Sequence, residues 1–461
     1  MSDEGELGRL GYAQELIRRM GGFSSFAVSF SIISVLTGCI TAYSDAFGAG
    51  GPATLGIGWP LVSAGTLLVA LAMAELASAF PTAGALYHWS ALLGGAAAGW
   101  FTAAINIIGQ LAIVAAIDLG CANELAPIVG VGPLPLLGVI LASHALINIV
   151  SVRVVAWLND FSATVHIVGV VVIVGALLAL GRAHPAGYFF AAKPAGTSLG
   201  FLNGLVLSMF TFTGYDASAH LSEETHDPAR RTPWGILSSV LVSACFGYLL
   251  LGAITLAVDD SGVPLTAMTR ALGDRFGRAA MSLAIAAMWF CGLSSVTSAS
   301  RTVYAFARDG GLPASPLLAR VNTRTRTPVP ALLAVSVAPM LLVLGTHALS
   351  TAGLFDVMAK MATMGLYVSY AIPIFLGANA RRAGRWKRLG PFHLRRYGGV
   401  VAWAAVAWCA LVLVVCSLPP NFLAAAMLGG VVLALAITYL AVVRARFQGP
   451  KVDLAMLETR D

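Results

Sequence analysis

Charge is what this sequence lacks most. Of its 461 residues only 11% are Asp, Glu, Lys or Arg, 58% are hydrophobic, and the mean hydropathy is +0.83. A water-soluble globule carries roughly 25% charged residues, so a soluble fold is excluded and a chain that crosses a membrane many times is expected. Long hydrophilic stretches are missing as well. The longest loops fall at about 182–198, 259–278, 308–328 and 379–398, too short for a second domain. Enzyme signatures are absent: no His-Glu-x-x-His, no Gly-x-Ser-x-Gly and no phosphate loop ending in Gly-Lys-Ser/Thr. Zinc hydrolysis, elbow-type acyl transfer and ATP-driven pumping by this chain are thereby set aside, and no cofactor is called for. The six cysteines (Cys39, Cys121, Cys245, Cys291, Cys409, Cys416) are scattered through apolar stretches without paired spacing. They read as small hydrophobes, with neither a disulfide framework nor a metal site. The acidic start, Met-Ser-Asp-Glu-Gly-Glu, does not have the basic-then-apolar layout of a cleaved signal peptide.

What is present is a series of apolar stretches of about 20 residues, the length that crosses a hydrocarbon core. They lie near 23–47, 56–80, 96–121, 133–151, 155–181, 199–223, 234–258, 279–307, 329–345, 353–378, 399–417 and 421–443, giving an all-α polytopic fold of twelve spans. Short loops rich in Lys and Arg stay cytoplasmic. With the N-terminus inside, most of the 28 basic residues, from Arg9, Arg18 and Arg19 through the cluster at 381–396 (which includes Arg388) to Lys451 and Arg460, fall on that face. Only Arg182, Lys193, Arg270, Arg275 and Arg278 fall opposite. The net charge of +7 is therefore a topology signal of a plasma (inner) membrane protein, and no nucleic-acid partner is expected. The expected organisation is a cytoplasmic tail at 1–22, one membrane domain at 23–443 and a second tail at 444–461. Within it, blocks 23–181 and 199–378 hold five spans each. Five being odd, the second block enters the membrane inverted, and the helices at 399–443 stand outside the repeat.

Two spans are ones a helix cannot run through cleanly, Ser31-Ile-Ile-Ser-Val-Leu-Thr-Gly38 and Thr211-Phe-Thr-Gly-Tyr-Asp-Ala-Ser218. Each opens one of the two blocks. Non-helical backbone at membrane depth survives only where protein or a water-filled cavity surrounds it, so a matched pair of interrupted helices, 1 and 6, points to the substrate site of a secondary transporter.

Four segments carry a resemblance: Gly50-Gly-Pro52; Ala72-Met-Ala-Glu-Leu-Ala-Ser-Ala-Phe-Pro-Thr-Ala-Gly-Ala-Leu-Tyr-His-Trp89; Gly214-Tyr-Asp216 with Glu223-Glu-Thr225 and Pro228; and Ser300-Arg-Thr-Val-Tyr-Ala-Phe-Ala-Arg-Asp-Gly-Gly-Leu-Pro313. Together they resemble the amino acid/polyamine/organocation (APC) superfamily, most of all its amino acid/choline branch, over residues 22–313. The resemblance implies permeation of an amino acid, 4-aminobutyrate, choline or a related amine.

Residues of the sixth span, Thr211, Thr213 and Gly214, are expected to line a gap whose carbonyls and amides meet the two ends of a zwitterion. The resemblance implies that Phe210 closes over substrate. Tyr215 is either a gate residue or core. Asp216, expensive at this depth, would bind a cation, couple to a proton, hold the gate, or tie down the freed backbone. The first span departs from the family: where many members carry spaced glycines, it offers Ser31, Ser34, Val35, Thr37 and Gly38. Either hydroxyls replace amide donors there, or the substrate lacks an α-carboxylate. Asn106, Gln110 and Trp289 are candidate liners from the third and eighth spans.

By resemblance His166 stands near the position of a lysine that replaces sodium in some relatives, where it would load a proton; its plain alternative is a neutral imidazole tying helices together. Ser294 and Ser295 resemble the hydroxyl pair of sodium-coupled members. Glu75, Glu223, Glu224, Arg230, Arg231, Arg301 and Arg308, near the inner helix ends, are expected to form exchangeable gate pairs or to serve as ordinary helix-end charges. The expected activity is alternating-access movement of an amino acid or small amine such as 4-aminobutyrate, with a proton favoured over sodium or exchange. Choline or polyamine transport is the close alternative, and a membrane-embedded solute sensor the alternative of another class.

Overall fold

The computed structural model describes residues 7–8, 12–150, 152–192, 198–259, 262–349, 353–387, 389–419 and 421–450. Arg9, Lys193, Arg388, Lys451 and Arg460, used above for orientation, lie outside the described residues. Among those described, the chain is helical throughout, and a single isolated β-bridge, Met20 to Thr225, is the only extended pairing.

Eleven helices are long and apolar enough to cross a membrane. A shorter apolar helix, Leu199–Thr211, completes twelve crossings together with the short helix that continues it. In chain order the elements are α1 (Gly22–Ile33), α2 (Val35–Thr41), α3 (Tyr43–Gly50), α4 (Pro52–Gly56), α5 (Gly58–Ala79), α6 (Leu86–Gly94), α7 (Ala96–Val129), α8 (Pro133–Val150), α9 (Val152–Leu180), α10 (Ser198–Thr211), α11 (Ala217–His220), α12 (Pro228–Ala257), α13 (Pro264–Arg308), α14 (Val329–Leu349), α15 (Leu354–Arg382), α16 (Gly398–Ser417) and α17 (Phe422–Thr438).

Burial sorts these helices into an inner and an outer set. The apolar windows of α1–α2 and of α7 are 83% buried and that of α15 is 72% buried, whereas the window at 422–443, which α17 opens, is 6% buried. The last helix thus stands at the lipid-facing rim, and α1, α2, α7 and α15 form the centre. Small residues let the central helices close up. Gly109 on α7 approaches Gly365 and Leu366 of α15 so nearly that an added Cβ would lie 2.9 Å from the Leu366 nitrogen, the close approach that glycine permits between membrane helices.

Two central helices are discontinuous where the sequence placed the interruptions. Ser34 takes a left-handed conformation (φ 37°, ψ 78°) between α1 and α2, a region that a non-glycine residue occupies only when its surroundings hold it there. Its side chain supplies that hold, accepting from the Thr37 amide at 3.3 Å and so capping α2. In the sixth span the chain leaves α10 at Thr211 and resumes in α11 at Ala217, with Gly214 at φ +82°. A third irregularity, Gly273 (φ +77°, ψ 161°), kinks α13 near its start, at the tenth of its 45 residues.

Candidate functional site

The two breaks face each other. A Cβ built on Gly214 would press into the side chain of Ile32, just before the first break, and one built on Gly38 would press into Thr211, just before the second. Glycine is required at both positions by contact, and at Gly214 also by backbone conformation. Ser29 on α1 ties the two breaks together: its hydroxyl donates to the Tyr215 carbonyl at 2.8 Å and accepts from the Ser218 amide at 2.9 Å.

Asp216, 2% exposed, brings a carboxyl group to this gap. Tyr370 of α15 donates to Asp216 Oδ1 at 2.8 Å and accepts from the Gly214 amide at 3.2 Å, pinning the break to the carboxylate. His220 Nε2 lies 3.1 Å from Asp216 Oδ2, and His220 Nδ1 lies 3.4 Å from the Ala83 carbonyl. His220 thus bridges the Asp216 carboxylate and the Ala83 carbonyl. From α7, the Gln110 amide reaches His220 at 3.4 Å, Thr302 at 3.0 Å and Asn106 at 2.5 Å, and Asn106 donates to Ser369 at 3.0 Å. Asn106 and Gln110 therefore join the sixth-helix break through His220. Thr213 donates to the Phe210 carbonyl at 2.7 Å and Thr211 to the Leu207 carbonyl at 2.8 Å, so both hydroxyls stay with their own helix.

On the first-helix side the polar residues form a chain to α9. Ser34 contacts Thr37 Oγ1 and His166 Nε2, each at 2.6 Å, while Ser31 donates to Ser162 at 2.9 Å. His166 Nδ1 lies 2.8 Å from the Ser162 carbonyl. That imidazole is fully partnered as a neutral ring, donating from Nδ1 and accepting at Nε2. Val35 is fully buried beside Ser34. Ser294 donates to Asn159 at 2.7 Å and Ser295 to the Cys291 carbonyl at 2.9 Å, so the two hydroxyls point to different partners. Trp289 is not brought to either break. Its indole donates to Ser143 at 3.0 Å and its ring packs on His144, because its place on α13 faces α8.

Beyond Phe210 the site opens into a vestibule of about 430 Å³ lined by Asp45, Asn203, Phe210, Phe355, Asp356 and Lys360 among others. Phe210 meets Phe355 edge-on with ring centres 5.8 Å apart, and both rings line the vestibule.

The opposite end is shut. Buried Arg301 bonds Glu224 at 2.7 Å and Arg308 bonds Glu223 at 3.0 Å, and Arg381 stands in an ion pair with Glu75 at 2.7 Å. The N-terminal segment is strapped across these pairs. The amides of Arg19 and Met20 each donate to the Glu224 carbonyl at 2.8 Å, Gln14 donates to the Glu223 carbonyl at 2.8 Å, and Tyr304 donates to Glu15 at 2.7 Å. Beside them Asp309 Oδ2 receives Tyr12 at 2.8 Å, Tyr87 at 3.0 Å and His88 at 3.2 Å. Burial by itself would raise the Asp309 carboxyl, but hydrogen bonds from His88 and Tyr12 and the Arg308 charge outweigh it and hold the group below its ordinary value. Arg230 and Arg231 are exposed on the first turn of α12 and make no ion pair among the described residues; Arg308 and Arg381 occupy the places expected of them.

Several residues of this arrangement were not among the sequence candidates, His220, Tyr370, Arg381 and Asp309 foremost. His220 had a signal, since it lies one turn after Asp216 on any helix that resumes there. Tyr370 and Arg381 had none, because only the fold brings α15 against the breaks and against α5.

Comparison with known proteins agrees with the architecture. The sequence matches the amino acid permease family over residues 20–443. It is 37% identical to the amino-acid permease BAT1 of Arabidopsis thaliana, across 91% of this chain and 89% of that protein. It is 30% identical to the GABA-specific permease of Saccharomyces cerevisiae, across 91% of this chain and 79% of that protein. Two crystal structures of the Eremococcus coleocola manganese transporter share the fold with TM-scores of 0.57 and 0.56 at 15% identity, over 92% of this chain and 95% of theirs. The protein is an integral membrane protein, and it belongs to the amino acid permease family of the amino acid/polyamine/organocation superfamily.

Proposed function

We propose that the chain is a secondary permease that moves an amino acid or a related small amine, such as 4-aminobutyrate, by alternating access with a proton as coupling ion. The observation that carries this reading is the apposition of the two helix breaks around a buried carboxylate. Asp216 supplies a counter-charge for an ammonium, and the unwound backbone at Ser34 and at Thr213–Tyr215 supplies the dipole ends that a zwitterion meets. The names of the permeases from Arabidopsis and yeast point the same way. A first break built on Ser34 and Thr37 in place of a run of glycines favours hydroxyl donors, which suits a substrate whose carboxylate lies far from its amine.

In this reading blocks 23–181 and 199–378 are inverted repeats, each opened by a broken helix, and the helices at 399–443 stand apart. The basic loops place both tails in the cytoplasm and the chain in the plasma (inner) membrane. The strapped end is then the cytoplasmic gate, closed by Glu224–Arg301, Glu223–Arg308 and Glu75–Arg381, while Phe210 and Phe355 form the thin outer gate beneath the vestibule. Within the gap, His166 and Asp216 are the candidates for the coupling proton in this scheme, while Ser294 ties α13 to α9 through Asn159 and Ser295 bonds its own helix.

The test is uptake into proteoliposomes of labelled α-amino acids, 4-aminobutyrate, choline and putrescine, with and without an inward proton gradient and without sodium. Saturable uptake of an amino acid or 4-aminobutyrate that rises with the gradient is expected. Uptake confined to choline or putrescine overturns the substrate assignment, uptake that needs internal substrate and ignores the gradient overturns proton coupling, and binding without flux overturns transport.

A further inference from the structure

Away from both breaks, α7, α8 and α13 enclose a carboxylate and an imidazole that the substrate gap does not use. Asp118 on α7 and His144 on α8 are each 0% exposed, and His144 Nδ1 lies 3.2 Å from Asp118 Oδ2. Two of their polar atoms are buried without a hydrogen-bond partner, Asp118 Oδ1 and His144 Nε2. An ionisable pair kept only to fasten helices together would have its remaining lone pair and ring nitrogen satisfied, because each buried orphan costs about 1–3 kcal/mol. His166 shows the contrast, with both ring nitrogens partnered.

The cavity for the pair is made by Gly292 of α13. A Cβ there would press on Asp118 Oδ1 and would come within 2.6 Å of His144 Cε1, so a backbone without a side chain is what lets the carboxylate and the imidazole stand side by side. The groups around them do not neutralise a carboxylate. Cys121 lies one turn along α7, Cys291 lies next to Gly292, Glu124 is the next acid along α7, and His144 is the one titratable residue of α8. On α15, Asp356 and Lys360 pair with each other and line the vestibule, and His347 of α14 is exposed. Among the described residues no Lys or Arg pairs with Asp118. With its proton absent the site holds an uncompensated negative charge in a membrane interior; one added proton, taken by the imidazole, makes it neutral overall as imidazolium with carboxylate.

The pair is one residue removed from the transport apparatus. Cys291, adjoining Gly292, donates its thiol to the Ile32 carbonyl at 3.1 Å, and Ile32 is the side chain that Gly214 packs against. Cys291 and Ile32 thus connect the neighbourhood of the pair to both helix breaks through a single packed layer.

We infer that Asp118 and His144 form a proton-binding site, separate from the substrate gap, which takes up one proton from water and is thereby converted from a net negative charge to a neutral pair. That this is the coupling proton, in place of His166 or Asp216, rests on the transport reading given above.

Trp289 provides the readout, since its ring lies 5.1 Å from that of His144 and an imidazolium quenches a neighbouring indole. The full chain, purified in detergent with no substrate, is titrated from about pH 9 to pH 4 while its tryptophan fluorescence is followed. A step is expected that is lost in Trp289→Phe and in His144→Gln, and whose midpoint falls by at least one pH unit in Asp118→Asn, about tenfold in proton affinity, because the imidazolium has lost its counter-charge. Absence of any step, a step that survives His144→Gln, or an unchanged midpoint in Asp118→Asn overturns the site. Where Asp118→Asn does not fold, Gly292→Ala replaces it, since its methyl crowds Oδ1 and moves the midpoint; an unmoved midpoint there is equally fatal. In proteoliposomes, Asp118→Asn is expected to lose the gradient-driven part of 4-aminobutyrate or amino acid uptake by at least about tenfold, and full gradient-driven uptake overturns the coupling role. A normal titration with no flux of any panel compound supports the proton site and overturns the transport reading alone.

Discussion

Gly214→Ala isolates the sixth-helix break with a single methyl. Two costs follow from its geometry. The residue sits at φ +82°, where an alanine is strained by about 1–3 kcal/mol, and the added Cβ is driven into Ile32, an overpacking that costs a further 1–3 kcal/mol or so. The sum, about 2–6 kcal/mol, corresponds to roughly 30-fold at its lower end. It is relieved only by moving α1 away from the break, which disperses the groups that would hold substrate. Gly273→Ala is the matched control: its φ is +77° and nothing lies within 4 Å of its Cβ position, so it carries the backbone strain without the collision. Proteoliposome uptake and thermal unfolding are measured on both variants. Gly214→Ala is expected to lose at least about 30-fold in transport efficiency, and Gly273→Ala to lose stability while keeping flux near wild type. Equal losses in the two variants would show that contact with Ile32 does not matter, and wild-type flux in Gly214→Ala would refute the facing-break site.

Asp216→Asn removes the only acid of the gap and leaves Tyr370 and His220 facing an amide; amine binding, read by stabilisation against heat with 4-aminobutyrate or an amino acid, is expected to weaken by at least about tenfold, and unchanged binding rules out the counter-ion role. Arg301→Met strands the buried Glu224 carboxylate and should lower unfolding stability by about 3–5 kcal/mol, whereas Arg301→Met combined with Glu224→Leu should recover most of that loss; additive losses would refute the pairing. For Asp309 the folded value lies below the ordinary 3.8, so its contribution is complete above the carboxylate range and vanishes only as pH falls through the depressed value. Protease access to the N-terminal strap should therefore stay flat from neutrality down to about pH 4 and rise below it, and a rise centred near pH 6 would implicate a different group.

The crossings and the two interruptions were legible because each rests on a local rule. Runs of about 20 apolar residues have one use in a chain this poor in charge, and Ser34 and Gly214 occupy segments where hydroxyls and a glycine displace helix formers. The partners inside the site were less legible, since they depend on which helix packs against which. Trp289 looked like a liner from its place on the eighth span, yet the rotation of α13 turns it to Ser143 and His144. Arg230 and Arg231 lie close in sequence to Glu223 and Glu224, but the turn at Asp227, in a left-handed conformation (φ 48°), points them away, and Arg308 and Arg301 arrive from α13 instead. Asp118 and His144 carried no motif; they are two lone polar residues on different spans, and only packing makes them a pair.

The unequal construction of the two ends bears on how such a protein could switch. In the proposed scheme one end is closed by the edge-on rings of Phe210 and Phe355, a contact worth about 0.5–1.5 kcal/mol beyond the area it buries and therefore easily traded for a bound solute. The other is closed by three ion pairs, with Glu224, Glu223 and Glu75 all at most 3% exposed. Buried ion pairs of this kind add little net stability, because the desolvation of both charges offsets their attraction. That near-balance suits a gate. When the end opens, each Arg and Glu regains water at the moment it loses its partner, so the cost of separation is far smaller than the cost of deleting one partner while the end stays shut. The strap is a different matter: Arg19, Met20, Gln14 and Glu15 must release their bonds to Glu224, Glu223 and Tyr304 in the same step. Each such hydrogen bond is worth about 0.5–1.5 kcal/mol net, so in the proposed scheme it is the N-terminal segment, more than the ion pairs, that sets how far the resting balance leans toward the shut end.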